Sequence, residues 1–255
     1  MFTLVPTSEP ANRVLWLDRP LEAASGRCLR TCCEDAAVFA DAYGEGQVFL
    51  PRARQFEDAA RAGRFAALYT APRHGCLIGV AASWQSEDDD DLTEIGPVVV
   101  RPDHRRCGLG AILAQALAVQ ECSETQSFSG VVVVTTEDNV AGRTAIRALA
   151  GPLHGAAEMV RCNPDTERFV DQAETRVATM KRGALYALVS PATFCDGARM
   201  LLAARSPGGL ALKTGTTLRL GAGWYRYDEG FWEQVALIAR GWMPRSPTRP
   251  RRLSA

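Results

Sequence analysis

The chain has 255 residues, 47% of them hydrophobic and 23% charged, and its 29 basic and 29 acidic residues give a formal net charge of zero. That length can bury a sizeable core in one large domain or slightly more. Balanced charge argues against a nucleic-acid or membrane-surface protein driven by a global excess of Lys and Arg, and no apolar run approaches the length of a membrane span.

Arg13 to Leu17 predicts a short first strand, and Leu21 to Ala42 a helix that Gly44 and Gly46 end. Pro51 to Gly63 carries Phe56, Ala59, Ala60 and Ala62 and predicts a second helix closed by Gly63. Phe65 to Thr70 and Cys76 to Trp84 are strands joined by Pro72-Arg73-His74-Gly75, a turn-rich link that makes them an antiparallel hairpin. Glu87 to Asp91 is an acidic run, expected as a solvated loop beside the sheet, with weak attraction for a cationic acceptor as its functional reading.

Glu94 to Val100 is a valine-rich strand ended by Arg101-Pro102. Gly96-Pro97 inside it predicts a bulge or splay, because proline cannot donate to a ladder and glycine weakens one. Arg105-Arg106-Cys107-Gly108-Leu109-Gly110 then opens a helix with Leu109, Ile112, Leu113, Ala116 and Leu117 on one face. A glycine-rich helix start exposes backbone N–H groups and is suited to an anion. Two phosphate-loop patterns fail here. The nucleotide-hydrolase loop needs Lys-Ser/Thr where Ala111-Ile112 stands, and the dinucleotide fingerprint needs a glycine where Leu113 stands.

What remains, R-x-x-G-x-G-A after a valine-rich strand ending in Arg-Pro, resembles the pyrophosphate-binding motif of the GNAT superfamily of acyl-CoA-dependent N-acyltransferases. The resemblance implies that Val98, Val100 and the loop Arg105, Arg106, Cys107, Gly108, Leu109, Gly110 and Ala111 hold acetyl-CoA or another short acyl-CoA. It further implies that Glu94 is the general base, that the Val98 amide touches the thioester carbonyl, and that Asn139, after the strand Val131 to Thr136, holds the pantetheine arm. Ile146 stands where family members often carry a tyrosine acid, and His154 is a nearby substitute. Cys107 has only His104 close in sequence to activate it, so a covalent route is not expected.

Gly130 to Thr136 reads as a buried parallel strand and Asn139 to Ala150 as a helix. Ala157 to Cys162 and Ala184 to Val189 are expected as the last core strands, with a polar helix from Pro164 to Met180 between them. Pro191 to Arg205 predicts a helix broken at Ser206-Pro207-Gly208-Gly209. Leu210 to Leu220 reads as a hairpin or strand, and Phe231, Val235, Ile238 and Trp242 as one helical face docked on the core.

The expected fold is therefore α/β (α+β), with a mixed, mostly antiparallel central sheet of about six to seven strands flanked by helices and an extra C-terminal α/β segment. Residues 1–190 form the acyltransferase-like core, 191–243 an extension packed on it, and 244–255 a disordered tail. Eight cysteines scattered through apparent elements point to reduced thiols. Cys28, Cys32 and Cys33 cluster without a histidine, so no metal is expected. Met1 to Pro6 leads into polar residues with no leader pattern, and a cytoplasmic location is expected. The expected activity is acetyl transfer to the primary amine of a small molecule, with no nucleic-acid or membrane partner and homodimerisation left open. The alternatives are a non-catalytic CoA-binding module and a protein N-acetyltransferase, the latter disfavoured by an extension expected to cover the acceptor side.

Overall fold

The computed structural model describes residues 13–19, 29–44, 50–72, 75–86, 89–124, 130–136, 139, 142–143, 149, 154–155 and 184–242. Its organising element is one mixed sheet. The strands are β1 (Val14–Asp18), β2 (Phe65–Tyr69), β3 (Leu77–Ser86), β4 (Asp89–Val100), β5 (Gly130–Thr136), β6 (His154–Gly155), β7 (Ala184–Leu188), β8 (Leu210–Ala211) and β9 (Thr217–Leu220). They run in the order β6-β7-β5-β4-β3-β2-β1-β9-β8. Among the described residues only β4–β5 and β1–β9 are parallel pairs, so the sheet is mixed and mostly antiparallel as expected. Among the described residues six of the expected strands appear, as β1–β5 and β7, and the short β6 is an addition. The hairpin β8–β9 adds two more, because Val14 to Leu17 pairs with Thr217 to Leu220 and recruits the hairpin to the sheet edge.

Helices α1 (Leu29–Tyr43) and α2 (Ala53–Arg61) cover one face. Phe56 and Phe65 are fully buried there, with ring centroids 5.2 Å apart, together with Phe39, Val80 and Val99. Gly63 closes α2 as expected. Its φ of 75° lets the Arg64 amide reach back to the Ala59 carbonyl at 2.7 Å and its own amide to Ala60, satisfying carbonyls that a helix end orphans.

Three helices cover the other face: α3 (Leu109–Glu124), α4 (Pro191–Arg205) and α5 (Glu229–Ala239). Helix α4 starts where Ser190 caps the Thr193 amide and Pro191 fits the first turn, and α5 where Asp228 Oδ1 accepts from the Phe231 amide at 2.9 Å. The sequence suggests a single apolar stripe on α3. In the structure Ala114, Ala118, Val119 and Cys122 are buried as well, because α4 and α5 lie against the flank the core leaves open.

Several boundaries differ from expectation. Asp89 to Asp91 belong to β4 rather than to a loop, carried into the strand by pairing of Ser86 with Asp89. Of the helix expected from Leu21 to Ala42, residues 21–28 lie outside the described residues, and α1 runs over Leu29–Tyr43. Trp242 is 47% exposed and lies beyond α5, since Gly241 turns away with φ 92°; Trp232 is buried in its stead. Cys28, Ile146, the strand expected at 157–162, the helix expected at 164–180 and the tail 244–255 lie outside the described residues. Cys32 and Cys33 are buried in α1. Among the described residues no helix is long and apolar enough to cross a membrane.

Candidate active site

Strand β4 pairs with β3 along its whole length but with β5 over only part of it. Against β5 its parallel register runs from Leu92↔Gly130 to Ile95↔Val133. Against β3 the register jumps from Ser83↔Ile95 to Ala81↔Val98, so Gly96 and Pro97 form the bulge that the sequence predicts. Arg101 donates its amide to the Ile78 carbonyl at 2.9 Å, which makes that facing pair a hydrogen-bonded one. Antiparallel pairs alternate in kind, so the backbone amides of Val98 and Val100 face the β5 side of β4. The two strands therefore part on the side where those amides point.

The end of β4 leads through a 3-10 turn at Pro102–His104 into the glycine loop and α3. Arg106 (φ 63°) and Gly108 (φ 79°) both adopt the left-handed region, which curls residues 105–108 into an exposed cradle ahead of the helix. The first helical bond runs from the Ile112 amide to the Gly108 carbonyl, 3.1 Å. The amides just ahead of it are those that a helix start leaves without intrahelical acceptors, at the positive end of the dipole.

Gly110 tests whether these residues fit an acyl-CoA. A Cβ there would lie 3.5 Å from Val98 Cγ1 and 3.9 Å from Val100 Cγ2, ordinary contact distances. The protein's own packing thus does not require glycine at 110. A side chain there would meet the end of β4 beside the glycine loop, and a loop of this kind at a helix start suits an anionic group such as a diphosphate.

The loop arginines serve unequal roles. Arg105 Nε donates to the Val100 carbonyl at 2.9 Å and its Nη2 to the Tyr43 carbonyl at 2.8 Å, tying the end of α1 to the end of β4. Its charge remains beside the cradle while its donors serve the fold. Arg101 Nε bonds Asp103 at 2.7 Å and holds that carboxyl below the usual range, so this pair contributes little net charge. Cys107 is exposed, with its thiol toward the Arg105 carbonyl at 3.5 Å.

Glu94 is half-buried on β4 directly opposite Trp84. Its neighbours Thr93 and Ile95 face α3, so alternation turns Glu94 toward the face covered by α1 and α2. The C-terminal helices lie on the opposite face. Of the extension expected over the acceptor side, α4 and α5 pack on α3 rather than over Glu94. Asn139 caps the segment that follows it: its Oδ1 accepts from the Gly142 amide at 2.8 Å and its main-chain carbonyl from Arg143 at 2.9 Å.

One cluster escaped the sequence reading. Glu121, 4% exposed in the last turn of α3, accepts from Ser83 Oγ at 3.0 Å and Thr93 Oγ1 at 3.2 Å and pairs with Arg64 Nε at 3.1 Å. Burial raises its carboxyl above the ordinary range, opposed chiefly by the Arg64 charge. The available signal was a carboxylate set in the apolar run of α3.

No curated protein matches the chain significantly. Among solved structures, N-acetylglutamate synthase from Neisseria gonorrhoeae, complexed with coenzyme A and N-acetyl-glutamate, is similar with TM-score 0.45 at 16% identity, over 69% of this chain and 35% of that one. This chain thus spans about a third of that protein's length. Diaminobutyrate acetyltransferase EctA from Paenibacillus lautus, in complex with its substrate L-2,4-diaminobutyric acid and coenzyme A, gives TM-score 0.43 and 13% identity over 69% and 94%. Naa50 from Arabidopsis thaliana, with a bisubstrate analogue, gives 0.41 and 12% over 69% and 97%. The model of the acetyltransferase (GNAT) family matches residues 33–149, a stretch that contains Glu94, the glycine loop and Asn139. Over residues 33–149, then, the chain is similar to the acetyltransferase (GNAT) family.

Proposed function

We propose that the protein transfers an acetyl group from acetyl-CoA to a primary amine of a small molecule by direct attack, with Glu94 as general base. The observation that carries this reading is the parting of β4 from β5 beyond Ile95, beside a glycine loop whose Gly110 leaves room that packing does not demand.

The acyl-CoA supplies an activated thioester whose thiol, with an ordinary pKa of about 8.5, is a tolerable leaving group near neutrality without a dedicated acid. The amides from Cys107 to Ala111 receive the diphosphate, Arg105 and Arg106 add positive charge, and Val98, Val100 and Asn139 border the arm. The Val98 amide donates to the acyl carbonyl oxygen and favours the negative charge that develops there. Glu94 takes the proton from the attacking nitrogen, directly or through a water. That task matters because an amine of pKa about 10.4 is neutral in only about one molecule in 2,500 at pH 7. The half-buried position of Glu94 beside Trp84, under α1 and α2, supports a compact amine over an extended protein segment.

The test is release of free thiol from acetyl-CoA with a panel of amines, using wild type and Glu94→Gln. The variant keeps shape but cannot accept the proton, so turnover at neutral pH should fall by about 10² to 10⁴ with CoA affinity unchanged. The deficit should shrink above the amine's pKa, where the acceptor is already neutral. An equal deficit at every pH, or none, refutes the base assignment.

A further inference from the structure

Glu121 holds three adjacent strands at one level. Its Oε1 takes Ser83 Oγ of β3 and Arg64 Nε at the entry to β2, and its Oε2 takes Thr93 Oγ1 of β4. The Ser83 amide donates to the Arg64 carbonyl at 2.9 Å, so the strands are also tied through their backbones at this point. Immediately beyond, at Ser83↔Ile95, the β3–β4 register slips and the β4–β5 ladder ends. The carboxylate thus sits at the last regular step before the bulge, next to Thr93, whose successor on the strand is Glu94.

Its location is unfavourable on two counts. A carboxylate in the last turn of a helix meets the negative end of the dipole, and that turn holds no basic residue. It is also buried, only 4% exposed, where an apolar side chain would avoid the desolvation cost. A group kept there against both penalties is explained by what it grips.

We propose that Glu121 is a positioning residue for the reaction. By anchoring Thr93 and Ser83 from beneath the sheet it fixes the twist of β4 at the bulge and so the direction in which Glu94, on the opposite face, presents its carboxylate. The inference rests on the proposed role of Glu94 and goes beyond it by naming what orients that base.

The experiment is a double-mutant cycle on turnover in the full chain. Glu121→Gln keeps the shape and the two hydroxyl partners but loses the Arg64 ion pair; Thr93→Val removes only the β4 strut and leaves Glu121 held by Ser83 and Arg64. Each is made in the wild-type and Glu94→Gln backgrounds. Glu121→Gln should lower kcat about tenfold and Thr93→Val about threefold with Glu94 present, each less than twofold in Glu94→Gln, and neither should move CoA affinity by more than twofold. Equal losses in both backgrounds, for either variant, overturn the inference while leaving the base in place. Full turnover by Glu94→Gln alone overturns the base assignment, and the inference with it.

Discussion

Gly197 stands inside α4 where that helix presses on α3, and replacing it sets two effects of opposite sign against each other. In a helix interior facing solvent, alanine is better than glycine by about 0.8 to 1.0 kcal/mol. At this position a Cβ would lie 2.9 Å from Val119 Cγ2, 3.1 Å from Gln115 Cβ and 3.1 Å from the Gln115 carbonyl oxygen. The valine methyl can yield, but the carbonyl is part of the α3 backbone, so the helices themselves must separate. Overpacking of this kind costs about 1 to 3 kcal/mol, and set against the propensity gain it leaves a net loss of roughly 1 kcal/mol for Gly197→Ala. Gly197→Leu adds atoms with nowhere to go and should lose about 3 kcal/mol or more. Urea unfolding followed by tryptophan fluorescence reads both, as lower midpoints at unchanged slope. In thermal scans each kcal/mol corresponds to about 2–4 °C for a chain of this size. A Gly197→Ala protein that is more stable than wild type by about 1 kcal/mol would refute the reasoning, since that is the behaviour of a helix whose glycine touches nothing.

Gly110→Ala should fold normally, because its methyl meets Val98 and Val100 only at ordinary contact distances, while Gly110→Asp should abolish CoA binding by placing a charge where an anion must sit. Calorimetry showing wild-type CoA affinity in a folded Gly110→Asp protein would remove the loop from the site. Asp18 is 3% exposed, and burial raises its carboxyl above the ordinary range against the opposing pull of the Gly223 and Arg19 amides bonded to its Oδ1. With the folded-state pKa above the unfolded one, its contribution to stability is greatest below about pH 3.9 and is lost as pH rises through the raised value. Asp18→Asn keeps an acceptor without the titration, so its Tm relative to wild type should improve steadily from about pH 4 to about pH 7. A relative Tm that falls over that range would contradict the assigned cause.

The features legible in the sequence were those written in local chemistry. The Gly96-Pro97 bulge followed from two residues unsuited to a ladder, the exposed loop ahead of α3 from Gly108 and Gly110, and α4 from the breakers Ser206-Pro207 at its end. What escaped depended on partners distant in the chain. Asp89 to Asp91 look like loop because carboxylates have poor strand propensity, and only the pairing with β3 holds them in β4. Trp242 continues the helical period on paper, but the left-handed Gly241 intervenes. That Arg105 also ties β4 to α1, through its Nη2 and the Tyr43 carbonyl 62 residues away, shows only in the fold. Glu121 gains its meaning only when Arg64, Ser83 and Thr93 are brought around it.

The parallel pairing of β1 with β9 bears on how the chain is made as well as on how it is held. Val14 to Leu17 find their partners at Thr217 to Leu220, and the Gly223 amide closes on Asp18 across 205 residues. On the ribosome, therefore, β1 waits with one edge unpaired until Thr217 to Leu220 have emerged. At about 5–20 residues per second that interval lasts roughly ten to forty seconds, during which an open strand edge is a template for wrong pairing. Closure over so long a loop is also slow to nucleate. Chaperone supply during synthesis should then govern soluble yield more strongly than the stability of the finished protein does.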